Sequence, residues 1–309
     1  MNFRQQHYFP IGTKNLAVVF PGVGASKAFS ISAVDNIVEH DFIEKSQAAP
    51  RYRYTPDGER IDNITDWGLK QFQKAYGKDG LISPLVGEMS PLVTEGGEAT
   101  SSESAAIPPS APQGASPPQG GRSAARAVPI TKDDIFHYVY GVLHDPVYRE
   151  TYAQNLKREF PRIPFYPDFW AWAGWGKRLM ELHIGYETVE AWPLTRLDTP
   201  DEKAREAGVA PKAVLKADKD NGIIRLDSET VLSGIPPEVW SYRLGNRSGL
   251  EWILDQYKEK TPKDPTIREK FNTYRFADYK EHVIDLIARV TRVSVETVEI
   301  TEAMKSAKR

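Results

Sequence analysis

The chain has 309 residues, 40% of them hydrophobic and 27% charged, with a formal net charge of −2, which describes a globular chain long enough for one or two cores. It has no cysteine, so disulfide frameworks, thiolate zinc sites and cysteine nucleophiles are excluded. No apolar run approaches the roughly 18 residues of a membrane helix, and the first residues lack a signal-peptide core, so a cytoplasmic location with no membrane partner is expected.

Residues 1–90 are rich in short strands. Asn15 to Phe20 is a continuous apolar run of strand length, Phe29 to Ile37 and His40 to Ile43 follow, and Arg51-Tyr-Arg-Tyr54 alternates basic with aromatic. Asp66 to Tyr76 reads as a short helix after Asn63-Ile-Thr65. Residues 91–128 change to Ser, Ala, Pro, Gly, Gln and Glu with almost no large apolar side chain. Such a segment cannot bury enough apolar surface to offset its ordering entropy and is expected to be a disordered linker or insertion.

From residue 129 the pattern turns helical. Thr131 with Asp133 and Asp134 is a helix start, Ile135, Tyr138, Val139 and Val142 share a face, and Asp145-Pro146 breaks the run. Val147 to Phe160 is predicted as a second helix and Phe169 to Tyr186 as a third, aromatic-rich one. Strands return between Lys212 and Leu232 around an Asp220-Asn221-Gly222 turn. Gly234 to Tyr257 opens with Pro-Pro, then alternates Trp240, Tyr242 and Leu244 as in a half-buried strand; Ser248 caps a helix with Leu250, Ile253, Leu254 and Tyr257 on one face. Asp278 to Val293 closes as a long helix, and Val295 to Ile300 reads as a short strand. The class is α+β: a β-rich N-terminal lobe (1–90), the insertion (91–128) and a helix-rich C-terminal lobe (129–309).

Candidate site residues emerge in groups. Gly22-Val-Gly-Ala-Ser-Lys27 follows an apolar strand as a nucleotide-cradling loop would, with Glu39 downstream for a ribose hydroxyl. It lacks the third glycine, so a turn with close backbone approach is the preferred reading, and Ser26 and Lys27 are candidates for DNA backbone contact. Arg51 and Arg53 fall on one strand face, toward phosphate, or on an ordinary solvated edge. Arg149, Lys157, Arg158 and Arg162 cluster near the second helix, where Arg149 and Lys157 stand eight apart on one face, diluted by Glu150 and Glu159. Arg243, Asn246 and Arg247 sit on a strand–loop–helix corner; arginine fits guanine and asparagine fits adenine, unless the arginines pair with Glu238 or Glu251. Trp170, Trp172 and Trp175 are core aromatics or base-stacking rings. His137, His144 and His183 lack metal-ligand spacing, and no Gly-x-Ser-x-Gly elbow marks a hydrolase. The near-neutral charge argues against a strong, sequence-blind DNA binder acting alone.

Four segments in order, Val19–Ser30, Asn63–Gly68, Phe136–Glu150 continuing through Pro161–Pro164, and Gly234–Tyr257, closely resemble the C-terminal region of type ISP restriction–modification enzymes. In that family a nuclease, a translocase, an adenine methyltransferase and a target-recognition domain share one polypeptide. The resemblance implies a target-recognition domain whose partner is double-stranded DNA. It also implies a methyltransferase or helicase–nuclease polypeptide beside it. The chain has no Gly-x-x-x-x-Gly-Lys-Ser/Thr loop, no Asn-Pro-Pro-Tyr or Asp-Pro-Pro-Tyr tetrapeptide, and no two-carboxylate nuclease pattern. No cofactor is therefore expected in it, S-adenosylmethionine, ATP and Mg²⁺ belonging to catalytic parts elsewhere. The alternatives are a scaffold that holds such a partner without reading DNA, and a small enzyme that binds a nucleotide at Gly22–Lys27.

Overall fold

The computed structural model describes residues 7–39, 42–77, 129–261, 263–271 and 274–309. The expected insertion at 91–128 lies outside them, as do residues 40 and 41 of the strand expected at His40–Ile43. The fold is α+β, with antiparallel sheets.

The continuous apolar run becomes β1 (Ala17–Phe20), buried along its length at the centre of a three-stranded sheet. A strand with no polar face belongs between two neighbours and under cover. Those neighbours are β2 (Ser32–Val34) and β3 (Gln47–Pro50), with Val18 opposite Ala33 and Ala49. A hairpin of β4 (Tyr52–Tyr54) and β5 (Arg60–Asp62) follows, then α1 (Asp66–Tyr76), capped by Thr65.

Thr131 and Asp134 form a reciprocal capping box on α2 (Lys132–His144). Asp145 ends that helix and caps α3 (Pro146–Thr151), and α4 (Asn155–Arg158) is a single turn. The helix predicted from Val147 to Phe160 is thus interrupted. Its apolar periodicity survives, because Tyr148 and Leu156 are both buried in the first core and Tyr152 packs against it. Asp168 caps α5 (Phe169–Ile184) from a left-handed backbone. Helices α2 and α5 meet backbone to backbone: a Cβ on Gly176 would stand 1.8 Å from the His137 carbonyl oxygen, and one on Gly141 2.5 Å from that of Trp172. A helical glycine costs roughly 1 kcal/mol relative to alanine, and here it permits an approach that no side chain would.

The C-terminal part holds a second antiparallel sheet in the order β6-β9-β8-β7, built from β6 (Thr195–Asp198), β7 (Ala213–Asp218), β8 (Ile223–Asp227) and β9 (Thr230–Ser233). The five-residue α6 (Glu202–Glu206) lies between β6 and β7. The alternation predicted for Trp240, Tyr242 and Leu244 is not a strand: Pro237–Ser241 form a 3-10 turn, and only the two-residue β10 (Arg243–Leu244) and β11 (Arg247–Ser248) pair. Ser248 and Glu251 cap α7 (Gly249–Gln256) with a second capping box. After α8 (Pro265–Phe271), the 26-residue α9 (Lys280–Lys305) absorbs the strand expected at Val295–Ile300.

Apolar packing does not divide at the 91–128 segment. Residues of α2, α3 and α5 share one core with β1, β2 and α1, whereas β7–β9, α7 and the first half of α9 form the other. Helix α9 joins the two, with Val283, Ile287 and Val290 in the second and Met304 in the first. Its end is fixed by Arg309, which pairs at 2.6 Å with the fully buried Asp145.

Candidate nucleic-acid interface

Three groups of predicted residues are on the surface, and two predicted residues are not. The loop after β1 is shaped by close approach. A Cβ on Gly22 would stand 2.4 Å from the Lys45 carbonyl oxygen, and Gly22 N–H donates to the Glu44 carbonyl at 3.2 Å. Gly24 N–H donates to the Lys157 carbonyl at 2.8 Å, which docks the loop on α4. The loop that carries Ser26 and Lys27 is therefore anchored to the main chain of Lys157. Lys27 and Arg158 are exposed, Lys157 is half-buried, and among the described residues their side chains make no hydrogen bond or ion pair. The loop's own donors are occupied: Ser26 N–H and Oγ–H reach one Glu44 carboxylate oxygen at 3.0 Å each, and Lys27 N–H reaches the other at 3.0 Å. The Ser26 and Lys27 amides hold that carboxyl below its ordinary range.

Arg162 is exposed and pairs with Glu159 at 2.6 Å. Arg149 does not share a track with Lys157, because the break after α3 turns it inward. Its Nε donates to the Leu143 carbonyl at 2.6 Å, and its guanidinium lies 6.0 Å from the Phe29 ring centroid. Burial lowers its pKa to about 10, opposed by Tyr140, Tyr242 and Asp145 nearby. Arg51 is a correction of the strand-face reading. It precedes β4, is 6% exposed, and donates at 2.5 Å to both Asp62 and Asp133 while lying 4.3 Å from the Tyr52 ring centroid. A guanidinium so enclosed ties the hairpin to α2. Arg53, opposite Ile61, is exposed.

The third group is the β10–β11 hairpin. Gly245 turns at φ 69°, a left-handed conformation that favours glycine. Arg243 donates to the Asn246 carbonyl, and both residues are exposed. Arg247 pairs with neither Glu238 nor Glu251 but with Asp255 at 2.9 Å, and lies 5.0 Å from the Trp252 ring centroid. Trp252 in turn donates to the Leu244 carbonyl at 2.9 Å. Arg247 and Trp252 thus brace the hairpin and leave Arg243 and Asn246 at its tip.

A partly buried polar cluster, invisible in the sequence because its members are far apart, lies beneath. Tyr242 stacks on His183 at 5.5 Å and 15°; His183 bonds the Tyr140 hydroxyl at 2.7 Å and the Thr297 hydroxyl at 3.1 Å. Burial first, and the Arg149 charge second, push His183 down to about 3 and His144 well below its ordinary value, so both are neutral. The cluster connects the base of the hairpin, through Arg149, to Phe29 just beyond the loop. Trp172 is buried beside Tyr166 and Trp175 and is a core ring. Among the described residues no group of histidine, aspartate and glutamate could hold a metal, and no helix is long and apolar enough to cross a membrane.

Residues 1–286 match the family model described as the type ISP C-terminal specificity domain. The chain belongs to that family. The match extends past Tyr257, where the sequence resemblance ends. A cryo-electron microscopy structure of a DrdV–DNA complex is 44% identical over 100% of this chain, with a TM-score of 0.77. A nuclease-deletion mutant of the type ISP enzyme LlaGI with a DNA substrate mimic (22% identity, 99% of this chain, TM-score 0.63) shares the fold. So does the ATP-dependent type ISP enzyme LlaBIII bound to DNA (19% identity, 100% of this chain, TM-score 0.67). The specificity domain spans 26%, 22% and 17% of those chains, respectively. No curated protein matches it.

Proposed function

We propose that this specificity domain recognises a particular sequence in double-stranded DNA, as the reading module of a type ISP-like restriction–modification system directed against phage. The observation that carries the reading is the family match together with the 44% identical structure, which is of a DNA complex. The geometry supports a division of labour. Lys27, beside Glu44, together with Lys157 and Arg158 sets the register on phosphates, while Arg243 and Asn246 at the hairpin tip reach base edges. Cleavage, translocation and methyl transfer, with S-adenosylmethionine, ATP and Mg²⁺, belong to a polypeptide outside these residues. The site of action is the cytoplasm.

Fluorescence anisotropy with duplexes across a salt series tests the reading. The triple substitution Lys27→Ala, Lys157→Ala, Arg158→Ala should weaken binding to all sequences alike. It should also reduce the slope of log K against log salt by roughly 2–3. An unchanged slope would remove these residues from the interface.

A further inference from the structure

The densest set of donors on the basic edge is already filled from within the chain. Two successive amides and a hydroxyl converge on one anionic group, at 3.0 Å in each case, and that group is the Glu44 carboxylate. Concavities of successive backbone N–H groups are anion seats, and phosphate is among their occupants. The Lys27 charge acts on the same carboxylate, and the main chain of Lys157, next to the exposed Arg158, holds the loop at Gly24. A carboxylate held by two amides and a hydroxyl beside a lysine charge has the arrangement of a bound phosphodiester.

We infer that Glu44 is an internal stand-in for a DNA phosphate, which occupies the seat made by Ser26 and Lys27 in the free protein and leaves it when the duplex binds. The inference rests on the reading of the chain as a DNA-recognition module. Departure requires rotation of one side chain only. The main chain beneath it is held independently, by Gly22 N–H on the Glu44 carbonyl at 3.2 Å, Ile43 N–H on Ser46 Oγ at 3.0 Å and Lys45 Nζ on the Gly24 carbonyl at 2.9 Å. The exchange trades one set of charge-assisted bonds for another of the same kind. It makes binding depend on a real phosphate arriving in register, since elsewhere on a duplex Glu44 would stay and repel the backbone. Glu44 then acts as a filter on docking geometry, setting how tightly a misaligned duplex is held.

Two variants test this, Glu44→Gln, which keeps the shape, and Glu44→Ala, which empties the seat. With serine and lysine ¹⁵N-labelled in the full chain, inorganic phosphate should shift the Ser26 and Lys27 amide resonances saturably in both variants. In the parent protein it should do so only at roughly tenfold higher concentration, a difference of the size expected from one competing charge. Duplex affinity should rise about 10-fold in both variants, with a salt slope steeper by about one phosphate. Amides that ignore phosphate in both variants overturn the inference while leaving DNA recognition standing, as does duplex affinity that falls or stays unchanged. If neither the parent protein nor the variants bind any duplex, the recognition reading fails and displacement by DNA fails with it. The phosphate titration still reports separately whether Glu44 guards an anion seat.

Discussion

Replacing Arg51 by methionine should destabilise the protein without touching DNA binding. The guanidinium side chain is 7% exposed and is shared by Asp62, 38% exposed, and Asp133, 61% exposed. Breaking a fully buried ion pair typically costs ~3–5 kcal/mol. Here the acids left behind are partly hydrated, and Asp62 keeps Lys132 at 3.3 Å, so most of the penalty for stranded charge is absent. What goes is a pair of charge-assisted bonds and the contact with Tyr52, partly replaced by the packing of methionine. The balance is a loss of about 2 kcal/mol. Equilibrium urea unfolding at pH 7 measures it, and a double-mutant cycle with Asp133→Asn isolates the link to α2. The Arg51 and Lys132 partners hold the Asp62 carboxyl below its ordinary range, against the opposing effect of burial. Its contribution is therefore complete above the unfolded value near ~3.9 and disappears as pH falls through the lower folded value. The difference between parent and variant should shrink correspondingly in acid. A loss under about 0.5 kcal/mol, or a reduced salt slope for DNA in a variant of unchanged stability, would refute the structural assignment and restore Arg51 to the interface.

Gly176→Ala forces a Cβ against the His137 carbonyl and should cost about 3 kcal/mol by overpacking; urea unfolding within 1 kcal/mol of the parent would contradict the α2–α5 crossing. Because His183 is held neutral down to about 3 while an unfolded histidine titrates near ~6.5, the unfolded chain gains a proton the folded one refuses. His183 alone should therefore lower stability by about 1.4 kcal/mol per pH unit below that value, with His144, likewise held neutral, adding its own share. His183→Asn should reduce the slope by one proton's worth without abolishing it. Arg243→Ala, at an exposed hairpin tip, should leave stability within about 0.5 kcal/mol. It should weaken binding to the preferred duplex about 10-fold while relaxing preference at one base position; equal loss on every sequence would make Arg243 a phosphate contact.

Local chemistry was readable in the sequence wherever neighbours in the chain decide the structure. The Thr131 and Ser248 caps, the Asp145-Pro146 break and the α1 limits follow from residues within a turn of one another. The strand expected at Val295–Ile300 failed because β-branched residues follow their surroundings: Val295 and Thr297 are buried on α9, whose helical spacing spans both cores. Trp240, Tyr242 and Leu244 alternate in sequence, but Pro237 at the start of a 3-10 turn sets the geometry before any strand can begin. The site was legible as residue types and not as pairings. Arg51 meets Asp133 82 positions away, and Ser26 meets Glu44 18 positions away; no local pattern distinguishes an arginine destined for an acid from one left for DNA.

Whether these residues read DNA on their own is decided by selection from a randomised duplex pool at roughly 100 mM salt, where weak non-specific contacts are partly screened. An asymmetric motif several base pairs long should be enriched, with one of its positions relaxed in Arg243→Ala. Binding that is flat across the pool, or absent, would contradict DNA reading by these residues and leave the chain as a scaffold for a catalytic partner.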